Sequence, residues 1–395
     1  MIERIKYLIP LGAVLFVFFF ISIGQAVEVK VSDTNSSLDY SLKYEVQHAI
    51  ERGLGWLAKN QAQGGYWSQP DHPALTGLVL TAYMGEPTGR IRSNPPDFVH
   101  NGYTYLLNCV KPDGGIYVRE MANYNSSISL MALLVAANPS FEPVIRKARN
   151  FEIGLQDDFD KKGATDNAFD GGVGYGGRYQ HSDLSNTMFA LESIYYTKYL
   201  AQDSGQSEQN TELNWQAAIR FLERCQNLPS HNDQEWASDD PQNKGGFVYF
   251  PGNSKAGEME LANGAKALRS YGSISYAGLL SYMYADLKKD DPRVIAVLEW
   301  LRKNYTLDEN PGMGQQGLYY YYHTMAKALA AYGINELVLA DGRKVDWRRD
   351  LALNLLNRQN GEGFWINENG RWWERDPVLV TAYSVIILEI IYRGL

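Results

Sequence analysis

Cysteine is scarce in this sequence: two residues, Cys109 and Cys225, stand far apart in a chain of 395 and in no metal-ligand spacing. Such a chain is neither a disulfide scaffold nor a structural zinc protein. It also lacks any basic run. Lys+Arg number 37 against 45 Asp+Glu, a formal charge of −8, which argues against a nucleic-acid partner. Charged residues make up only 21% and apolar residues 45%, so the chain can build a sizeable core and does not have the composition of a disordered polymer. Its excess is aromatic, with 27 Tyr, 14 Phe and 9 Trp.

Residues 1–6 carry Arg4 and Lys6, residues 7–23 are apolar, and Gly24-Gln25-Ala26 places small residues where a signal peptidase reads. That is the layout of a secretory leader over 1–26. An apolar stretch this close to the roughly 20 residues that span a bilayer also suits an uncleaved anchor. No second apolar run approaches that length. The expectation is therefore an exported protein, periplasmic or secreted, that meets a membrane only through its leader if the leader is kept. Residues 27–43 read as a polar linker.

Internal repeats decide the fold. Gln61-x3-Gly65-x-Trp67 and Gln359-x3-Gly363-x-Trp365 each follow an amphipathic helical stretch, at opposite ends of the chain. Weaker copies between them turn on Gly114-Gly115, Gly171-Gly172, Gly245-Gly246 and Gly312 with Gly317. Each turn leads into a second, more apolar stretch rich in Ala, Ser and Thr: 74–84, 126–137, 184–196, 273–284, 323–331 and 378–391. Small residues let helices approach closely, while the first helix of each pair keeps charges on one face. The pattern predicts an all-α fold over 44–395, an α/α toroid in which six helical hairpins close into a double ring. Two insertions, 157–170 and 227–263, are long loops of the kind that border binding sites.

With the phrase Tyr320-Tyr321-Tyr322-His323-Thr324, these elements resemble the prenyltransferase and squalene-oxidase repeat proteins. That family includes squalene–hopene cyclases, oxidosqualene cyclases and protein prenyltransferase β subunits. The resemblance extends to an exported bacterial subgroup of unassigned activity, through 270–279, 310–317 and 376–383. It implies a toroid, and it implies two chemistries that the residues do not complete. Cyclases protonate an alkene with the middle Asp of Asp-x-Asp-Asp-Thr-Ala. The nearest match is Asp183-Leu184-Ser185-Asn186-Thr187, where Ser185 holds the donor's place and is not acidic enough to act. Prenyltransferases hold zinc through Asp-x-Cys and a His. His323 matches the His, but Asp-x-Cys is absent from the sequence, so neither a metal nor a cofactor is expected.

What remains is a ring of polar and aromatic groups where the inner helices should begin. Asp183, His323, Glu374 and Asp376 are the catalytic candidates. Ser185, Asn186, Tyr271, Ser273, Ser275, Tyr320, Tyr322, Trp372 and Trp373 are the ligand-binding candidates. Each has a structural reading as well: Asp183 and Asp376-Pro377 as helix caps, His323 as a core or cavity-mouth residue, the tyrosines as toroid lining. Three functions fit. The first is a toroid that binds an apolar or aromatic-stacking ligand, or a protein partner, without the ancestral reaction. The second is a divergent enzyme on isoprenoid-like lipids. The third is a polysaccharide-active toroid using Glu374 and Asp376, whose neighbours Trp372 and Trp373 suit a glycan face.

Overall fold

The computed structural model describes residues 33–176, 181–202, 212–262, 264 and 266–395. The leader over 1–26 and the start of the expected linker lie outside the described residues. Six helix pairs follow one another: α1 (Asp33–Lys59) with α2 (Pro73–Gly85), α3 (Asp97–Asn108) with α4 (Ala122–Val135), and α5 (Glu142–Gly154) with α6 (Leu184–Tyr196). Then come α7 (Trp215–Arg224) with α8 (Gly272–Tyr284), α9 (Pro292–Lys303) with α10 (Leu318–Tyr332), and α11 (Trp347–Arg358) with α12 (Pro377–Gly394). Odd-numbered helices form the outer layer and even-numbered ones the inner. In α7 Ala217, Ala218, Phe221 and Leu222 are buried on one face, whereas α2 is buried at every position except Thr81. A helix buried all round can only be a core element.

Every inner helix packs on the inner helices before and after it, and α12 packs on both α10 and α2, so the ring is closed. The turns show how. Gln61 donates from Nε2 to the Gly65 carbonyl of its own turn (2.9 Å) and to the Phe98 carbonyl of the next outer helix (2.7 Å). Gln156 and Gln226 repeat this double bond to Gly171 and Asn214, and to Gly245 and Arg293. At the end of the chain Gln359 does the same, to Gly363 (2.8 Å) and to Ala49 of α1 (2.9 Å). The closing seam is thus built from the same bond as the interior ones.

Glycine is required at each of these four turns, and the first and last show why. Gly65 (φ +83°) and Gly363 (φ +106°) are left-handed, and a Cβ there would lie 2.6 Å from the Asn101 carbonyl oxygen and 2.7 Å from that of Arg52. Trp67 and Trp365 are fully buried, with each indole N–H bonded to the outer helix behind it, at Leu57 O (2.7 Å) and Leu355 O (2.8 Å). The backbone N–H that follows each turn bonds an inner-helix hydroxyl: Trp67 to Thr76, Ile116 to Ser126, Val173 to Thr187, Phe247 to Ser275 and Trp365 to Thr381. Five hydroxyls of the inner helices serve this latch.

The structure departs from the sequence reading in four places. Residues 33–43, read as linker, lie in α1. The inner helix of the fifth pair begins at Leu318, after left-handed Gly317, so Tyr320 to His323 lie inside it rather than before it. Two short antiparallel hairpins were not foreseen: β1 (Glu258–Glu260) with β2 (Lys266–Leu268), and β3 (Glu336–Val338) with β4 (Lys344–Asp346). Finally, α12 is long and apolar enough to cross a membrane by length and composition. Its 72% burial marks it as a core helix of the ring.

Because the ring is closed, all four glutamines sit in equivalent seams. Replacing any one of Gln61, Gln156, Gln226 and Gln359 by Ala should lower unfolding stability by about 1–3 kcal/mol, since the turn carbonyl loses its donor and the bond to the neighbouring outer helix is cut. Urea unfolding of the four variants checks this. A negligible cost at Gln359 alone would mean that the ends are not joined.

Candidate functional site

The inner helices run parallel, so the ring has two unlike ends. At their N-terminal end lie the long outer-to-inner connections, both insertions included. Arg224 ties the two insertions together, donating to Asn167 O and Thr165 O (2.7 Å each) and to the Asp233 carboxylate (3.0 Å). Most of the polar candidates sit at this end, and most of them hold helices.

Asp183 is the N-cap of α6. Its fully buried carboxylate accepts from Asn186 N (2.9 Å), Ser185 Oγ (2.7 Å) and Asn186 Nδ2 (2.8 Å). Burial pushes the Asp183 carboxyl up, and the bonds from Asn186, Ser185 and Tyr249 hold it back. Asp376 caps α12 through Val378 N (2.9 Å) and accepts from Ser68 Oγ. Glu374 caps a helix that is not its own: Oε1 accepts from Tyr320 N (2.8 Å) at the start of α10, and Oε2 accepts from Asn367 Nδ2 (2.6 Å). Its burial pushes the carboxyl from 4.5 up to about 6 against those bonds.

The remaining candidates divide. Ser273 exchanges bonds with the buried Asn310 side chain, and Ser275 bonds Tyr271 O (2.8 Å) as part of the latch. Tyr271 precedes α8 as its buried N-cap residue, and Tyr322 donates to Leu307 O. Trp372 and Trp373 are 40% and 41% exposed, both in left-handed backbone, with Arg371 over the first ring and His72 against the second. The hydroxyl of Tyr320 and Oδ1 of Asn186 are buried without a hydrogen-bond partner.

An aromatic layer crosses the ring. Phe189 packs on Tyr124 and Tyr320, Tyr320 on Tyr383, and the His323 ring stacks on Tyr383 at 4.6 Å and 26°. Beyond it a cavity of about 780 Å³ opens toward the C-terminal end of the inner helices. From Ala331 at its rim to His323 inside it, the cavity descends about 12 Å along α10. One wall is apolar, with Leu78, Met131 and Ile386 from α2, α4 and α12. The other carries Glu192, Tyr284, His323 and Lys327 from α6, α8 and α10. Glu192 accepts from Lys327 Nζ and from Tyr284 Oη (3.1 Å). Burial and the Lys327 ammonium push the His323 imidazole well below its usual range, so it is neutral at pH 7.

His323 therefore lies within the cavity, whereas the other polar candidates gather at the opposite end. The sequence reading missed Glu192, Tyr284 and Lys327. The signal was available: Glu192 is the one charged residue of α6, and Lys327 stands four residues after His323, on the same face of an apolar helix. Among the described residues no group of three His, Cys, Asp or Glu is placed to hold a metal ion. Cys109 and Cys225 are buried at the ends of α3 and α7.

No family model matches this sequence, and no curated protein does. Solved structures do. Type II terpene cyclase MstE from Scytonema, with merosterolic acid A (product), is similar over 90% of this chain and 99% of its own, at TM-score 0.53 and 11% identity. The same cyclase with geranylgeranyl dihydroxybenzoate (substrate) gives TM-score 0.51 over the same shares, also at 11% identity. A GH76 alpha-mannanase from Bacteroides thetaiotaomicron is similar over 89% of this chain and 95% of its own, at TM-score 0.53 and 12% identity. The chain has the α/α-toroid fold. At such identity the likeness carries nothing about activity.

The raised Glu374 carboxyl has a signed consequence. A group that holds its proton more tightly when folded stabilises the fold at low pH, and that contribution is lost as pH rises from 4.5 to about 6. The loss should be about 2 kcal/mol. Asp183, Glu152 and Glu389 are pushed up by burial as well, so urea unfolding on either side of this window should show a loss larger in the parent chain than in Glu374→Gln by about this amount. A step of equal size in both would contradict the assignment.

Proposed function

We propose that this protein is an exported toroid that binds a small, largely apolar ligand in the cavity at the C-terminal end of its inner helices. It acts without the proton-donor or zinc chemistry of the proteins its repeats resemble. The observation that carries the reading is the cavity itself: about 780 Å³, bounded on one side by aliphatic side chains and on the other by fixed polar groups. Pockets of this size and make-up are the usual seats of small molecules. Neutral His323 and the mutually neutralised Glu192–Lys327 pair leave little net charge in the depth of the cavity. A cyclase that shares the fold is seen with geranylgeranyl dihydroxybenzoate, and a mannanase shares the fold equally, so the apolar reading rests on the cavity lining. Glu374 and Asp376, the pair a polysaccharide reaction would use, are both engaged at helix N-termini.

Binding should depend on the free space. Met131→Trp puts an indole into the lumen and should abolish binding of a fluorescent apolar probe, while Trp372→Ala, at the other end, should leave it intact. Fluorescence titration of both variants tests this. Unchanged binding in Met131→Trp together with loss in Trp372→Ala would move the site to the opposite face.

A further inference from the structure

The rim of the cavity is charged in a way that the depth is not. Five basic side chains border it, Lys43, Lys288, Lys289, Arg348 and Arg393, against one acid, Asp286, while Lys327 and Glu192 pair deeper inside. Both acids are already taken, Glu192 by Lys327 and Asp286 by Lys198 at 2.7 Å. Arg393 donates to Gly85 O, at the last carbonyl of α2, and its guanidinium feels the buried Glu389. Arg348 donates to Ile334 O (3.2 Å) and Asn335 Oδ1 (3.0 Å). Three lysines remain. Lys43 lies 4.7 Å over the Tyr392 ring, Lys289 lies 4.9 Å over the Tyr332 ring, and Lys288 is exposed beside it. Among the residues whose side chains are described, which exclude 33–39, no carboxylate forms an ion pair with any of the three.

Some positive charge is expected where six helices end, because their carbonyl termini are partly negative. Arg92 and Arg393 fill that role on α2, bonding Met84 O and Gly85 O. Lys43, Lys288 and Lys289 are not so bonded. Asp290, next in sequence to Lys289, does not line the cavity. In a chain of charge −8, a cation cluster at the mouth of an apolar lumen is a local reversal of the overall sign. It would draw in one end of a molecule and leave the other to the aliphatic wall.

We infer that the ligand is an anionic amphiphile: its charged head sits among Lys43, Lys288 and Lys289, and its apolar chain runs down the lumen toward His323. This deepens the reading above and rests on it. The lumen excludes charge, because Glu192 and Lys327 already satisfy each other and a lone anion beside them would be desolvated without a partner. The head therefore stays at the rim, where the lysines can reach it and water remains.

The test uses the chain as exported behind its own leader, titrated with cis-parinaric acid and with its methyl ester, whose chain is the same and whose head is uncharged. The acid should bind roughly tenfold more tightly at low salt, in line with three partly exposed charges. Salt should erode that preference. Lys43→Gln/Lys288→Gln/Lys289→Gln should remove it while ester affinity stays as in the parent, and because all three side chains are at the surface the triple variant should keep its fold. Equal binding of acid and ester in the parent would overturn the anionic head and leave the apolar cavity standing. A preference for the acid that persists in the triple variant would also overturn it. Failure of both probes to bind, or binding of the acid that survives Met131→Trp, would overturn the cavity reading as well.

Discussion

A single side-chain amide, repeated, holds this protein in its shape. Each of Gln61, Gln156, Gln226 and Gln359 bonds a glycine carbonyl of its own turn and a carbonyl of the neighbouring outer helix. One group thereby fixes both the turn within a hairpin and the angle to the next hairpin. Buried carbonyls without a donor are costly, so the seam cannot slide. Because the last seam reaches back to Ala49, the geometry that joins neighbours also joins the ends. An open solenoid would need capping repeats with a polar face, and this chain closes on its first helix instead.

Closure decides what the polar residues can do. Six inner helices begin at one end, and each beginning exposes unpaired N–H groups. Carboxylates placed there are drawn to those groups, which is how Asp183, Glu374 and Asp376 come to serve as caps. At the other end the space between the inner helices opens as a cavity. Helices rich in Ala and Ser pack closely, and the space they enclose below the aromatic layer is the cavity. The toroid thus has an end of capped helices and an end with a mouth, and the second holds the cavity.

The hairpins, their number and the closed ring were legible in the sequence because the turn motif states them locally: a glutamine, a glycine that must be left-handed, an aromatic that must be buried. The inner helices are legible from their apolar, Ala-, Ser- and Thr-rich composition after each turn, and Asp183 and Asp376 each read as a cap beside the catalytic reading. Which end of the ring opens was not legible. That depends on where side chains from six separate helices meet, and no stretch of sequence records it. His323 shows the difference. Its phrase suggested a mouth, but the helix starts at Leu318, so the ring carries His323 inward past the tyrosines. The Ser and Thr content of the inner helices reads as close packing, and five of those hydroxyls also latch the turns.

The claim on which the account stands is that the open end lies at the C-termini of the inner helices. Photolabelling with an apolar diazirine probe, followed by peptide mapping, asks this directly. Label should fall on lumen residues such as Leu78, Met131 and Ile386, from three different inner helices, and should be displaced by an unlabelled apolar competitor. Label confined to Trp372, Trp373 and the insertions at the opposite face would contradict it.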